Sequence, residues 1–233
     1  MPKEFEIRQQ TELAATPEQV WDAIATEHGL AAWFMPMPID ASDGNVVAWE
    51  PGKRLRVETP TGDDGSSNAF EYLIEAREAG TTVLRFVHSG FISDDWGDEF
   101  EMMTGHGWDM YFATMVQYFE HFGGMSATYI EAEGPESSAS AEGWQRLRNK
   151  LSSPPPTLGD EVRIALESGA VEGVVDYVTP QFIGLRTDHA LIRFHGRWPI
   201  GMSIAVSHHA YGSTPSQDPV ALVASWTAWL ADL

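Results

Sequence analysis

The chain has 233 residues, of which 43% are hydrophobic and 21% charged, enough for one large domain or two small ones with a real core. Its formal net charge is -20, a field that repels phosphate backbones and anionic lipid, so neither nucleic acid nor a membrane surface is expected as a partner. It has no cysteine, which excludes disulfides, thiolate metal ligands and cysteine nucleophiles.

The chain opens Met1-Pro2-Lys3-Glu4-Phe5-Glu6, with no apolar run behind the lysine, so no signal peptide is expected. No stretch approaches the roughly 20 apolar residues that span a bilayer. Cytoplasmic residence is the expectation, and the lack of cysteine fits a reducing compartment.

Alternation from Phe5 predicts a first strand over 4–14. Thr16-Pro17-Glu18-Gln19 then reads as a helix start, with Thr16 at the N-cap, Pro17 at the first helical position and Gln19 completing a capping box. Val20, Trp21, Ile24 and Leu30 supply the apolar face, Gly29 is the expected stop, and a short second helix carries Ala31 to Phe34 until Pro36 and Pro38. Strands are expected over 46–49, 54–59, 69–76 and 81–88, with turns at Pro51-Gly52 and Ala79-Gly80. Residues 89–104 read as an irregular acidic stretch. A long helix over 105–122 carries Trp108, Phe112, Met115, Phe119 and Phe122 at spacings of three or four, and Gly123-Gly124 ends it. A sheet with one apolar face must bury it, and this helix is the only partner large enough. The expected class is α+β: an antiparallel sheet wrapped on a long C-terminal helix, the helix-grip arrangement.

The stretch Ala14-Ala15-Thr16-Pro17-Glu18-Gln19-Val20-Trp21-Asp22-Ala23 resembles the opening of SRPBCC proteins, the START and Bet v 1-like superfamily. Trp33-Phe34, Pro51-Gly52-Lys53-Arg54-Leu55 and Gly107-Trp108 resemble its branch related to the activator of Hsp90 ATPase. The resemblance covers about residues 4–122 and implies the helix-grip fold. It implies no single activity, because members bind lipids or hormones, cyclise polyketides or stimulate a chaperone, and it carries no catalytic motif onto this chain.

Two domains are expected, 1–124 and 125–233. The second half echoes the first. Ser126 to Ala132 stands for the first strand and Glu142 to Leu147 for the first helix, with Trp144 as the counterpart of Trp21. Gly159 to Ile164 parallels Gly52 to Val57. Strand-like runs follow at 173–178, 182–187, 190–195 and 202–208, and a last helix holds Val220, Val223, Trp226, Trp229 and Leu230. Trp144 and Gly159 lie closer together than Trp21 and Gly52, so the second copy lacks the stretch of the short second helix. A β-rich extension that is not a repeat is the alternative.

Candidate cavity residues are Trp21, Trp33, Trp49, Phe70, Phe86, His88, Trp96, Trp108, Phe112 and Met115, which would line a space for a flat apolar ligand or simply pack the core. His88, at a strand end, has the chemistry of a general acid or base, and Tyr72 could carry a proton. His106 opens the long helix and is expected to be neutral against the dipole. His208 and His209 are adjacent on a strand and point to opposite faces, so they do not chelate one ion, although His195 and His208 could meet across a hairpin. No metal or cofactor is expected. Asp94, Asp95, Asp98, Glu99 and Glu101 lack calcium-loop spacing and read as a solvated lid anchored by Phe91 and Trp96. The expected role is non-enzymatic binding of a small hydrophobic molecule. A chaperone-associated interaction protein and a cyclase- or hydrolase-type enzyme are the alternatives. A homodimer is compatible with any of these.

Overall fold

Phe5, Ile7 and Leu13 are buried and Gln9 and Thr11 half-buried on the inward face of the first strand, β1 (Lys3–Leu13), whose other residues are exposed, in a computed structural model that describes residues 2–93, 98–212 and 218–233. The chain divides into two units, Met1–Gly124 and Met125–Leu233. Each is α+β, with a curved antiparallel sheet and a C-terminal helix.

In the first unit α1 (Pro17–Ala25) starts as its capping box requires: the Gln19 amide donates to Thr16 Oγ1 at 3.4 Å and the Thr16 amide to Gln19 Oε1 at 2.9 Å. The helix stops before Gly29, and the second helix lies earlier than expected, as α2 (Glu27–Ala31). Thr26 decides this. Its hydroxyl donates to Asp22 O at 2.7 Å and accepts from the Gly29 amide at 3.0 Å, closing one helix and capping the next. Gly29 serves close approach instead of termination, since a Cβ there would lie 2.0 Å from Asp22 O.

Strands β2 (Val46–Glu50), β3 (Arg54–Glu58), β4 (Ser67–Ala76) and β5 (Thr82–Ile92) then run as a meander, and β5 returns beside β1 to give the order β1-β5-β4-β3-β2. β5 extends through Ile92, where the sequence suggested irregular chain, because Ser89 to Ile92 pairs with Lys3 to Glu6. Gly90 permits it, as a Cβ would fall 1.9 Å from Ser67 O on the neighbouring strand. The long helix α3 (Asp98–His121) begins a full two turns before Gly105, which places His106 well inside it instead of at its start. Glu99 and Glu101 are therefore helical, with Glu101 3.4 Å from Lys3, and Phe91 is an exposed strand residue instead of a lid anchor. Asp94, Asp95 and Trp96 lie outside the described residues. Trp108, Met110, Phe112, Met115 and Tyr118 are buried along α3, and Phe122 just beyond its end; Tyr118 takes the place expected for Phe119, which is half-buried.

The second unit runs β6 (Ala127–Glu133), α4 (Ala141–Leu151), β7 (Glu161–Leu166), β8 (Gly169–Val178), β9 (Phe182–Arg186), β10 (Ala190–His195), β11 (Ala205–Tyr211) and α5 (Pro219–Leu230). Its sheet order is β6-β11-β10-β9-β8-β7. The first strand again pairs with the last and a C-terminal helix again follows the last strand, with one more strand in the second sheet than in the first. No second short helix separates α4 from β7. The expected match of Gly159–Ile164 to Gly52–Val57 fails: Arg54–Val57 lies on the second strand after the helices, Glu161–Ile164 on the first. Val220 and Val223 face outward, and Leu222, Trp226 and Leu230 form the buried side of α5 against Ile130, Ile192, Phe194 and Val206.

Candidate ligand site

Within the first unit the inner face of β4 and β5 meets α3 through aromatic rings. Phe86 lies 4.3 Å from Trp108 and 5.3 Å from Phe112, centroid to centroid. Phe112 is 5.8 Å from Trp33, whose indole N–H donates to Ala23 O at 2.9 Å. Trp33, Phe86 and Met115 are wholly buried, and Phe112 nearly so. These four pack the core.

Other members of the set keep accessible surface. Phe34 stacks on Trp108 at 5.4 Å, and Tyr111 sets its edge against Phe34 at 4.5 Å. Phe70 stacks on His88 at 4.4 Å and lies 6.2 Å from Trp108. Phe34, Phe70 and Tyr111 are half-buried around a buried Trp108. Trp21 and Trp49 are also half-buried, but pair with each other at 5.1 Å. Phe34 and Tyr111 were not among the residues singled out from sequence, although Tyr111 lies one helical turn from Trp108 and Phe34 beside Trp33.

His88 sits under this cluster with both nitrogens engaged. The Trp108 indole donates to its Nδ1 at 3.0 Å, so the ring proton is on Nε2, which donates to Asn68 Oδ1 at 2.9 Å. Phe5 closes the other side, edge-on at 4.9 Å. Burial pushes the His88 pKa down to about 4. A neutral imidazole whose lone pair already accepts from an indole has no free basic nitrogen, so this geometry gives no general base. Burial likewise pushes the Tyr72 phenol up, away from proton exchange at neutral pH. Trp108→Phe, which keeps a ring and removes the donor, is expected to cost about 1–2 kcal/mol of stability in urea unfolding, more than ring area alone explains.

No family model and no curated protein matches the chain. Solved structures do match it. The chain is similar to the Aha1 dimer from Colwellia psychrerythraea. The two are 19% identical, over 52% of this chain and 98% of that one, with a TM-score of 0.42. Protein CV1439 from Chromobacterium violaceum is 21% identical over 49% of this chain and 96% of its own, with a TM-score of 0.41. DynU16, a protein of the dynemicin biosynthetic locus, is 17% identical over 97% of this chain and 96% of its own, with a TM-score of 0.40.

The second unit repeats the indole–imidazole bond. The Trp226 indole on α5 donates to His208 Nδ1 on β11 at 3.1 Å, and burial pushes that histidine down to about 4. His208 and His209 do take opposite faces, with His209 5.1 Å from Tyr129. His195 and His208 do not meet: His195 pairs with Ala205 and His208 with Ile192, which puts them on opposite faces. His195 Nε2 instead shares a hydrogen bond with Ser207 Oγ at 3.0 Å. On that same face Arg193 makes a bidentate pair with Asp176 at 3.0 and 2.9 Å, with side chains 1% and 4% exposed. Among the described residues no His, Asp and Glu cluster could hold a metal ion, and no helix is long and apolar enough to cross a membrane.

Proposed function

We propose that both units are helix-grip units of the SRPBCC type, in the branch resembling the activator of Hsp90 ATPase, and that the protein binds a small hydrophobic molecule without reacting it. Two features support the repeat: the shared connectivity, and the matching indole–imidazole bond between the last helix and last strand of each unit. The observation that carries the binding role is the half-buried aromatic rim of Phe34, Phe70 and Tyr111 around Trp108. Half-buried rings offer flat apolar contact at low entropic cost, while the wholly buried members hold them rigid. The engaged state of His88 favours this role over proton-transfer chemistry.

The test is a titration of the full chain with the neutral fluorescent probe N-phenyl-1-naphthylamine. A saturable emission increase is expected, with affinity about tenfold weaker in Phe34→Ala through loss of ring stacking. Failure of the probe to bind, or equal affinity in the variant, would remove the rim as the site.

A further inference from the structure

The two indole–imidazole pairs differ in what surrounds the imidazole. On β5, His88 is opposed by Phe70 on β4 and by Ile7 on β1; Asn68 lies two residues back on β4, opposite Gly90, and Phe5 lies opposite Gly90 on β1. On β11, His208 is opposed by Ile192 on β10 and by Ile130 on β6; the positions opposite Ala210 are Ala190 and Thr128. By register, then, Asn68 becomes Ala190, Phe70 becomes Ile192 and Phe5 becomes Thr128. All three groups that enclose His88 are replaced by smaller ones around His208, and the acceptor for Nε2 is lost.

A cavity of about 430 Å³ occupies this position. Ser168 and Val171 border it at the β7–β8 turn, Thr187 and Ala190 at the β9–β10 turn, Leu222 on α5, and His208 at its wall. His208 is 5% exposed and accepts from Trp226 at Nδ1, so its proton is on Nε2, and that N–H has no partner among the described residues. An N–H held at a cavity wall in this way is placed to donate to an acceptor that enters the cavity. The exposed carboxylate of Asp188 borders the same cavity and disfavours an anion, while that of Glu172 is paired with Arg163. Ala190, Ile192, Val171 and Leu222 favour apolar bulk.

We propose that the second unit holds its own binding site, for a small uncharged apolar molecule whose carbonyl oxygen accepts the Nε2–H of His208. The volume is at the lower end of small-molecule pockets and suits a compound of one or two rings. The residues of this site all belong to the second unit, and the proposal does not rest on the aromatic rim of the first.

The experiment is residue-resolved NMR of the full chain titrated with three probes. These are acetophenone, α-methylstyrene (the same shape with CH₂ for oxygen) and benzoate. Acetophenone is expected to shift the His208 Nε2–H and the amides of Thr187, Ala190 and Leu222 saturably. The other two should bind about tenfold more weakly, the worth of one buried hydrogen bond. His208→Asn, which keeps an acceptor for Trp226 but withdraws the ring donor, should bind acetophenone and α-methylstyrene equally. Ala190→Asn, which restores the arrangement around His88, should abolish the shifts. Equal binding of the ketone and the alkene by the unmodified chain, or unaltered ketone binding in both variants, would overturn the proposal. So would an absence of saturable shifts at these residues with all three probes. Shifts confined to Phe34, Phe70 and Trp108 would report the first-unit rim alone and overturn it equally.

Discussion

Replacing Arg193 by Met is expected to destabilise the second unit by about 3–5 kcal/mol, because it strands the Asp176 carboxylate without its counter-ion. The two side chains are almost fully buried and joined by two parallel hydrogen bonds. Gly184, opposite Arg193, leaves them the room: a Cβ there would come within 2.4 Å of Asp176 Oδ1 and 2.7 Å of the guanidinium. Asp176→Asn should be less severe, since the amide still accepts one hydrogen bond while the guanidinium loses its counter-charge. The double change to Arg193→Met with Asp176→Leu should recover most of the loss, as apolar replacement of a buried pair is commonly near neutral. Urea unfolding of the four proteins is the measurement. A single-variant cost under about 1 kcal/mol would place the pair with surface ion pairs and against the buried geometry.

Acidification from pH 6.5 to about 4 is expected to unfold the protein progressively through three histidines. Burial holds His88 and His208 down to about 4. His195 falls to about 3, through burial first and then the charges of Arg197, His209 and Arg193. The sign follows from linkage. In the unfolded chain each histidine takes a proton near its ordinary 6.5; in the folded protein it does not until pH reaches its depressed value. Stability is therefore full above about pH 6.5 and falls as pH drops through the window. The limiting slope is about 1.4 kcal/mol per pH unit for each histidine, or about 4 for the three together. His195 extends the loss toward pH 3 after the other two level off. Relief of the -20 net charge acts in the opposite direction, so unfolding free energies at pH 7.5, 6 and 5 should be paired with ring resonances of the folded state. Folded-state rings that titrate near 6.5, or stability that does not fall across the window, would contradict this account.

Much of the architecture is legible in the residues. Thr16 with Gln19 marks the start of α1, the alternation in β1 shows its inward face, and the spacing of Trp108, Phe112 and Met115 gives the buried stripe of α3. The element types of the second half were readable as well. Boundaries were harder. Thr26 moved the second helix forward, and strand pairing across Gly90 carried β5 into a stretch that looked irregular. The candidate site is legible in part: Trp108, Phe70 and His88 stand out as candidates, Trp33, Phe86 and Met115 are wholly buried, Phe34 is legible only through Trp33-Phe34 in the family resemblance, and nothing in their own segments marks Asn68 or Tyr111.

The sequence by itself determined which side of each element is apolar and where most helices and turns begin, because periodicity and capping act over a few neighbouring residues. Only the tertiary structure decided which polar groups meet. The Trp108–His88 and Trp226–His208 bonds join residues 20 and 18 positions apart on a helix and a strand. Whether they form depends on how the helix slides and rotates on the sheet, which is set by the sum of all its packing contacts. The difference between Asn68 and Ala190 has the same origin. Neither residue is notable in its own segment, and strand register alone puts one against His88 and leaves the other beside an open donor.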